Sequence, residues 1–130
     1  MVFEEIKNRI YEDILEKLPS HLTYHNLNHT AYVLEKAVFL AEQSQVSSSD
    51  LELLKLAALF HDTGFIDNPK DHEEKGCKIA EGYLSKEYSE SDLSKIYGMI
   101  MATKIPQSPS TLLEKILADA DLEYLGTDLF

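Results

Sequence analysis

The sequence predicts an all-α protein: one domain over residues 1–130, built as a bundle of about six helices. Three observations carry that expectation. Apolar residues recur at three- and four-residue steps in one segment after another. No stretch alternates with the two-residue period of a half-buried strand, and no internal repeat appears. Serine followed three residues on by an acidic residue stands ahead of two of the segments, the mark of a helix start. At 44% hydrophobic and 27% charged, the chain has enough apolar content for a core, and its length suffices to bury one without disulfides.

Taken in order, residues 2–18 read as a first helix, with Phe3, Ile6, Ile10, Ile14 and Leu18 in register and Pro19 as its stop. Residues 19–26 are a polar loop, and Asn26 or Asn28 is placed to cap a second helix from about Leu27 to Ser44. Its inner stripe is Leu27, Ala31, Leu34, Val38 and Ala41; His29, Val33 and Leu40 follow a neighbouring stripe, so His29 also faces inward. Serines 47–49 form a hinge, and Ser49 with Glu52 makes a capping box for the segment LELLKLAALF, residues 51–60. Its apolar residues occupy nearly every side, which marks a helix buried all round. It ends in His61-Asp62, with Gly64 as the expected C-cap. A Gly- and Pro-punctuated loop leads to a fourth helix, about Asp71 to Ser85, with Ile79, Ala80, Tyr83 and Leu84 as its apolar content. Ser89 and Asp92 open a fifth helix through Ala102, containing Ile96, Met99 and Ile100. The last, about Ser110 to Leu125, carries Leu113, Ile116, Leu117, Ala120 and Tyr124 inward, with Asp119 and Asp121 on its shoulders. Gly126 ends it, and the apolar Leu129-Phe130 beyond it suggests that the domain is C-terminally incomplete.

Charge narrows the partners. A formal net charge of −11 disfavours a nucleic-acid duplex or an anionic membrane surface. No apolar run approaches the roughly 18–20 residues that a membrane helix needs, and the acidic amphipathic N-terminus is not a secretory signal. The single cysteine, Cys77, cannot form an intrachain disulfide and reads as a small core residue. That fits a reducing compartment, so the expected location is cytoplasmic. Arg9 is the only arginine. A phosphate site here must rely on lysine, backbone NH groups or a metal rather than on an arginine fork. Oligomeric state leaves no mark on the sequence.

Four clusters can carry chemistry: His25 with His29; His61 with Asp62; His72 with Glu73 and Glu74; and Asp119 with Asp121. His21 reads as an exposed loop residue. A His and an Asp at the end of the most buried helix are costly unless something pairs with them. Imidazoles and carboxylates converging from several helices make a mixed nitrogen and oxygen site. Such a site suits Mn, Mg, Fe, Co, Ni or Zn and leaves positions for water and a phosphoryl oxygen.

In combination and in order, these residues resemble a known family. Tyr24-His25-Asn26-Leu27-Asn28-His29, Ala57-Ala58-Leu59-Phe60-His61-Asp62-Thr63-Gly64 and Asp119-Ala120-Asp121-Leu122 resemble the HD superfamily of metal-dependent phosphohydrolases, over residues 24 to 126. His72-Glu73 and Met101-Ala102-Thr103-Lys104 add to the likeness. The resemblance implies an HD-type helical bundle that holds one or two divalent metals. It carries the ligand role to His29, His61, Asp62 and either Asp119 or Asp121. A two-residue step turns about 200° on a helix, so those two aspartates cannot both face one metal; Asp119 is the slightly favoured ligand and Asp121 the alternative. His25 resembles the general acid of cyclic-nucleotide phosphodiesterases, a role for which an imidazole suits neutral pH. Asp62 is expected to share metal binding with orienting a water, and His72, Lys104 and Asn26 to contact substrate. The chain departs from the pattern where many two-metal members have a further His: here stands Thr103-Lys104. It also has Phe65 where some branches have Lys, and its scarcity of arginine argues against a site like that of the ppGpp hydrolases.

The expectation is therefore a phosphohydrolase acting on a small phosphomonoester, phosphodiester or nucleotide through a metal-activated water. The alternative is a catalytically weak metal-binding helical module that senses a ligand or pairs with another domain. An HD-type oxygenase would call for more metal ligands than these clusters supply.

Overall fold

The computed structural model describes residues 3–13, 27–61, 63, 72–104 and 109–123. Among them are six helices and no strand: α1 (Phe3–Asp13), α2 (Leu27–Gln43), α3 (Ser48–Phe60), α4 (His72–Leu84), α5 (Glu90–Ala102) and α6 (Leu112–Glu123). Their order and periodicity match the all-α expectation. Helix α3 is the axis of the bundle, touching α1, α2, α4, α5 and α6. Around it α6 lies between α2 and α5, and α4 packs on α5. No helix among the described residues is long and apolar enough to cross a membrane.

The central place of α3 follows from its composition. Leu53, Leu54, Leu56, Ala57, Ala58, Leu59 and Phe60 are all buried, so successive residues point to different neighbours. Each large aliphatic or aromatic side chain so buried contributes about 1.5–3 kcal/mol, which makes this element the most strongly held of the fold. Its start differs from expectation. Ser47, not Ser49, is the N-cap: its hydroxyl accepts from the Asp50 amide at 3.1 Å, and Ser49 lies inside the helix. The carboxylate of Glu52, which the Ser49 box requires, instead accepts from the Tyr88 hydroxyl at 3.1 Å. At α5 the expected cap is found, with Ser89 Oγ accepting from the Asp92 amide at 3.1 Å. Helix α6 begins on Thr111, whose hydroxyl accepts from the Glu114 amide, while Glu114 reaches back to the Ser110 amide at 2.9 Å.

Helix α2 is also rotated from its expected register. Its fully buried face is Thr30, Val33, Ala37 and Ala41; Leu34 is only partly buried and Ala31 is exposed. The true stripe has smaller residues because α2 packs closely on both α3 and α6. The inner face of α1 is Phe3, Ile6 and Ile10. Arg9, the lone arginine, lies over the Tyr83 ring at 5.6 Å from its centroid, so it braces α1 against α4. The expected continuation of α1 to Leu18, the stop at Pro19, and the roles of Gly64, Tyr124, Gly126, Leu129 and Phe130 lie outside the described residues.

Candidate metal centre

The apolar collar of α3 carries His61 into the interior, where it is fully buried. The residue keeps helical geometry (φ −60°, ψ −28°) as the C-cap. Its Nδ1 lies 2.6 Å from the Ala58 carbonyl oxygen. A carbonyl can only accept, so Nδ1 carries the proton and donates, and a neutral ring presents its lone pair at Nε2. Thr63, also fully buried, donates from Oγ1 to the Phe60 carbonyl at 2.8 Å. The last turn of a helix leaves its carbonyls without intrahelical partners. Here two of them are taken by side chains beyond the helix end, and the backbone of α3 thereby orients the imidazole.

His61 Nε2 faces α6, 3.4 Å from Asp121 Oδ1. Asp121 continues the buried face of α6 one turn beyond Leu117 and is only 9% exposed, whereas Asp119 is exposed. The sequence placed both on the shoulders of this helix and leaned to Asp119. The geometry favours the other: the 200° between them gives the inward position to Asp121. A charge-assisted N–H···O bond is typically about 2.7–2.9 Å, shorter than this contact. Two donors that share a divalent ion at roughly 2.0–2.2 Å each are themselves roughly 3–3.5 Å apart. A buried imidazole lone pair and a buried carboxylate at this separation fit a divalent cation in charge, donor type and spacing.

Of the remaining expected residues, His29 has its backbone in the first turn of α2, but its side chain lies outside the described residues. His21, His25, Asn26 and Asp62 lie outside them altogether. Among the described residues, accordingly, no three His, Cys, Asp or Glu side chains form a group able to hold a metal. Thr30, directly after His29, is fully buried, with no hydrogen-bond partner for Oγ1.

Helix α4 forms the rim. A Cβ at Gly76 would stand 2.9 Å from the Phe60 carbonyl oxygen, 3.7 Å from that of His61 and 3.7 Å from Ile100 Cγ2. At this position α4 therefore rests on the backbone end of α3 and on α5 together. Roughly one turn back along α4, Glu73 is buried and pairs with His72, Nε2 to Oε2 at 3.0 Å. Glu74 pairs with Lys104, just past the end of α5, at 2.6 Å. That hydrogen bond, first among several causes, holds the Glu74 carboxyl below its usual range. Cys77 is pushed up to about 11, chiefly by burial and then by the charges of Glu74 and Glu73. It is a protonated thiol at neutral pH. Thr103 is buried and donates to the Ile100 carbonyl at 2.7 Å, an arrangement like that of Thr63 on Phe60.

Gly76 and the inward placement of Glu73 escaped the reading from sequence, as did Thr63. A signal existed for the first two: Glu73, Gly76, Ala80 and Leu84 recur at helical steps, and a glycine inside a helix costs about 1 kcal/mol against alanine, so it marks a close approach.

Such a bundle, with a His-Asp step ending its central helix and an aspartate of the last helix set against that histidine, defines a helical domain built around an internal polar site. The HD domain family model matches residues 26–123, and the chain belongs to that family. Among solved structures it is similar to a predicted HD superfamily hydrolase from an uncultured Thermotogales bacterium, with a TM-score of 0.76 and 27% identity. The alignment covers 92% of this chain and 66% of that one, so this chain spans just under two-thirds of that protein. No curated protein gives a significant match.

Proposed function

We propose that this HD domain is a divalent-metal-dependent phosphohydrolase acting on a small phosphomonoester, phosphodiester or nucleotide in the cytoplasm. The observation that carries the reading is the buried pair of His61 Nε2 and Asp121 Oδ1 at 3.4 Å, in a chain of the HD family. The proposed ligands are His29, His61, Asp62 and Asp121, with Asp121 replacing Asp119 for the reason of helix face given above. A divalent ion held there supplies positive charge to a phosphoryl oxygen and lowers the pKa of a water.

The protein's own contribution is orientation and proton handling. The Ala58 carbonyl fixes the tautomer of His61 through Nδ1, so that Nε2 carries the lone pair. The apolar collar of α3 excludes bulk water from one side of the site, which strengthens every electrostatic contact within it. Asp62 orients the attacking water. His25 protonates the departing oxygen, a task for a group that titrates near neutrality. Asn26, His72 and Lys104 contact the substrate, and the acidic surface disfavours polymeric ones.

The test is to purify the protein, measure bound metal, and screen phosphate release from nucleotides and model diesters with Mn, Co, Ni and Mg. His61→Ala and Asp62→Ala are run beside the wild type. Metal-dependent turnover lost in both variants is expected. Stoichiometric metal with no turnover across the panel would instead indicate a binding module.

A further inference from the structure

Three threonines are buried among the described residues: Thr30, Thr63 and Thr103. Two of them satisfy their hydroxyls locally, Thr63 on the Phe60 carbonyl and Thr103 on that of Ile100. Thr30 does not. It is fully buried, and its Oγ1 has no hydrogen-bond partner in the protein. A buried hydroxyl left so is costly, and such a group calls for a water or an ion from outside the chain. Its place in the bundle says which. Residues 44–47 join α2 to α3, and the Val46 amide donates to the Ala41 carbonyl at 3.3 Å, so the chain folds straight back. The two helices pack on each other and run antiparallel. Thr30 lies as many residues before the end of α2 at Gln43 as His61 lies after the start of α3 at Ser48. At about 1.5 Å of rise per residue, both stand about 20 Å from the connection, on one level of the bundle. Thr30 also continues the buried stripe of Val33, Ala37 and Ala41, on a helix that packs on both α3 and α6. Those are the two helices that bring His61 Nε2 and Asp121 Oδ1 to 3.4 Å.

We infer that Thr30 is a positioning residue of the metal centre, its Oγ1 accepting a hydrogen bond from a water that the bound cation carries. The charge of a divalent ion makes such a water a strong donor. A hydrogen bond beyond the ligands themselves steadies the ion's surroundings and adds to its affinity. The inference rests on the metal-centre part of the reading above and adds to it a hydroxyl that none of the four expected clusters contains.

The test separates the hydroxyl from the shape of the side chain. Metal-free wild type, Thr30→Val and Thr30→Ser are titrated with Mn by calorimetry, and the melting of each metal-free form is followed by circular dichroism. Valine keeps the shape and removes the hydroxyl; serine keeps the hydroxyl. Thr30→Val should bind Mn about tenfold more weakly. Its metal-free form should melt no lower than the wild type, because a methyl replaces a hydroxyl that no protein group satisfies. Thr30→Ser should bind Mn nearly as the wild type does, although loss of the buried methyl lowers its melting temperature. A Thr30→Val protein that binds Mn as the wild type does, or that melts well below it, would assign the residue to packing and overturn this inference alone. Equal loss of affinity in both variants would do the same. Wild-type protein that takes up no Mn would overturn the metal centre together with it.

Discussion

Substituting Gly76 by alanine probes the contact on which the rim of the site depends. The added Cβ would come within 2.9 Å of the Phe60 carbonyl oxygen, nearer than real Cβ atoms approach. That oxygen is backbone, and it already accepts from Thr63 Oγ1 at 2.8 Å, so it cannot swing aside cheaply. Ile100 Cγ2, at 3.7 Å, limits retreat in another direction. Alanine gains about 0.5–1 kcal/mol over glycine in a helix interior, but forcing a methyl into packed space costs about 1–3 kcal/mol. The net expectation is destabilisation by about 1–2 kcal/mol, roughly 3–8 °C in Tm for a domain of this size. Gly82 supplies the control. It is on the same helix with nothing within 4 Å of its would-be Cβ, so Gly82→Ala should gain about 0.5 kcal/mol. Urea unfolding followed by circular dichroism reads both as shifts of midpoint at constant slope. Gly76→Ala as stable as Gly82→Ala would refute the close packing of α4 on the end of α3.

Four further outcomes are expected. Ser47→Ala should cost about 1 kcal/mol through loss of the α3 cap, while Ser49→Ala should fall within about 0.5 kcal/mol of wild type; chemical denaturation separates them. With its pKa raised from 9.0 to about 11, Cys77 should react with a thiol reagent at about pH 8 roughly a hundredfold more slowly in the native state than in urea. Because the folded state holds that proton more tightly than the unfolded one, this group should also subtract stability as pH rises from about 9 towards 11. His25→Ala should retain metal, by elemental analysis, and lose turnover mainly on poor leaving groups; loss of metal would mean that His25 is a ligand instead.

Much of the architecture was legible because α3 is apolar on nearly every side, a pattern only a central helix satisfies, and because Ser89-x-x-Asp92 marks its helix start without a competing residue. Ser49 with Glu52 fits the capping-box pattern, yet Ser47 is the residue that caps α3. Glu52 instead accepts from Tyr88, a partner remote in sequence that local pattern does not reveal. The rotation of α2 was hidden for a related reason. Ala31 and Leu34 satisfy the same periodicity as Val33 and Ala37, and only close packing on two neighbours favours the small-residue stripe. In the site, the His61-Asp62 step was plain from its cost at the end of a buried helix. The face of α6 was not, because Asp119 and Asp121 flank Ala120 symmetrically in sequence; the continuation of Leu117 into Asp121 decides which one is buried.

The account turns on whether Asp121 and His61 hold a common cation, and titrating the metal-free protein with Mn or Zn addresses that directly. Calorimetry on the wild type, Asp121→Asn, Asp119→Asn and His61→Ala, with circular dichroism to confirm folding, gives the comparison. Asp121→Asn and His61→Ala should each lose metal affinity by at least about tenfold, and Asp119→Asn should bind as the wild type does. Full affinity in Asp121→Asn, with loss in Asp119→Asn, would contradict it.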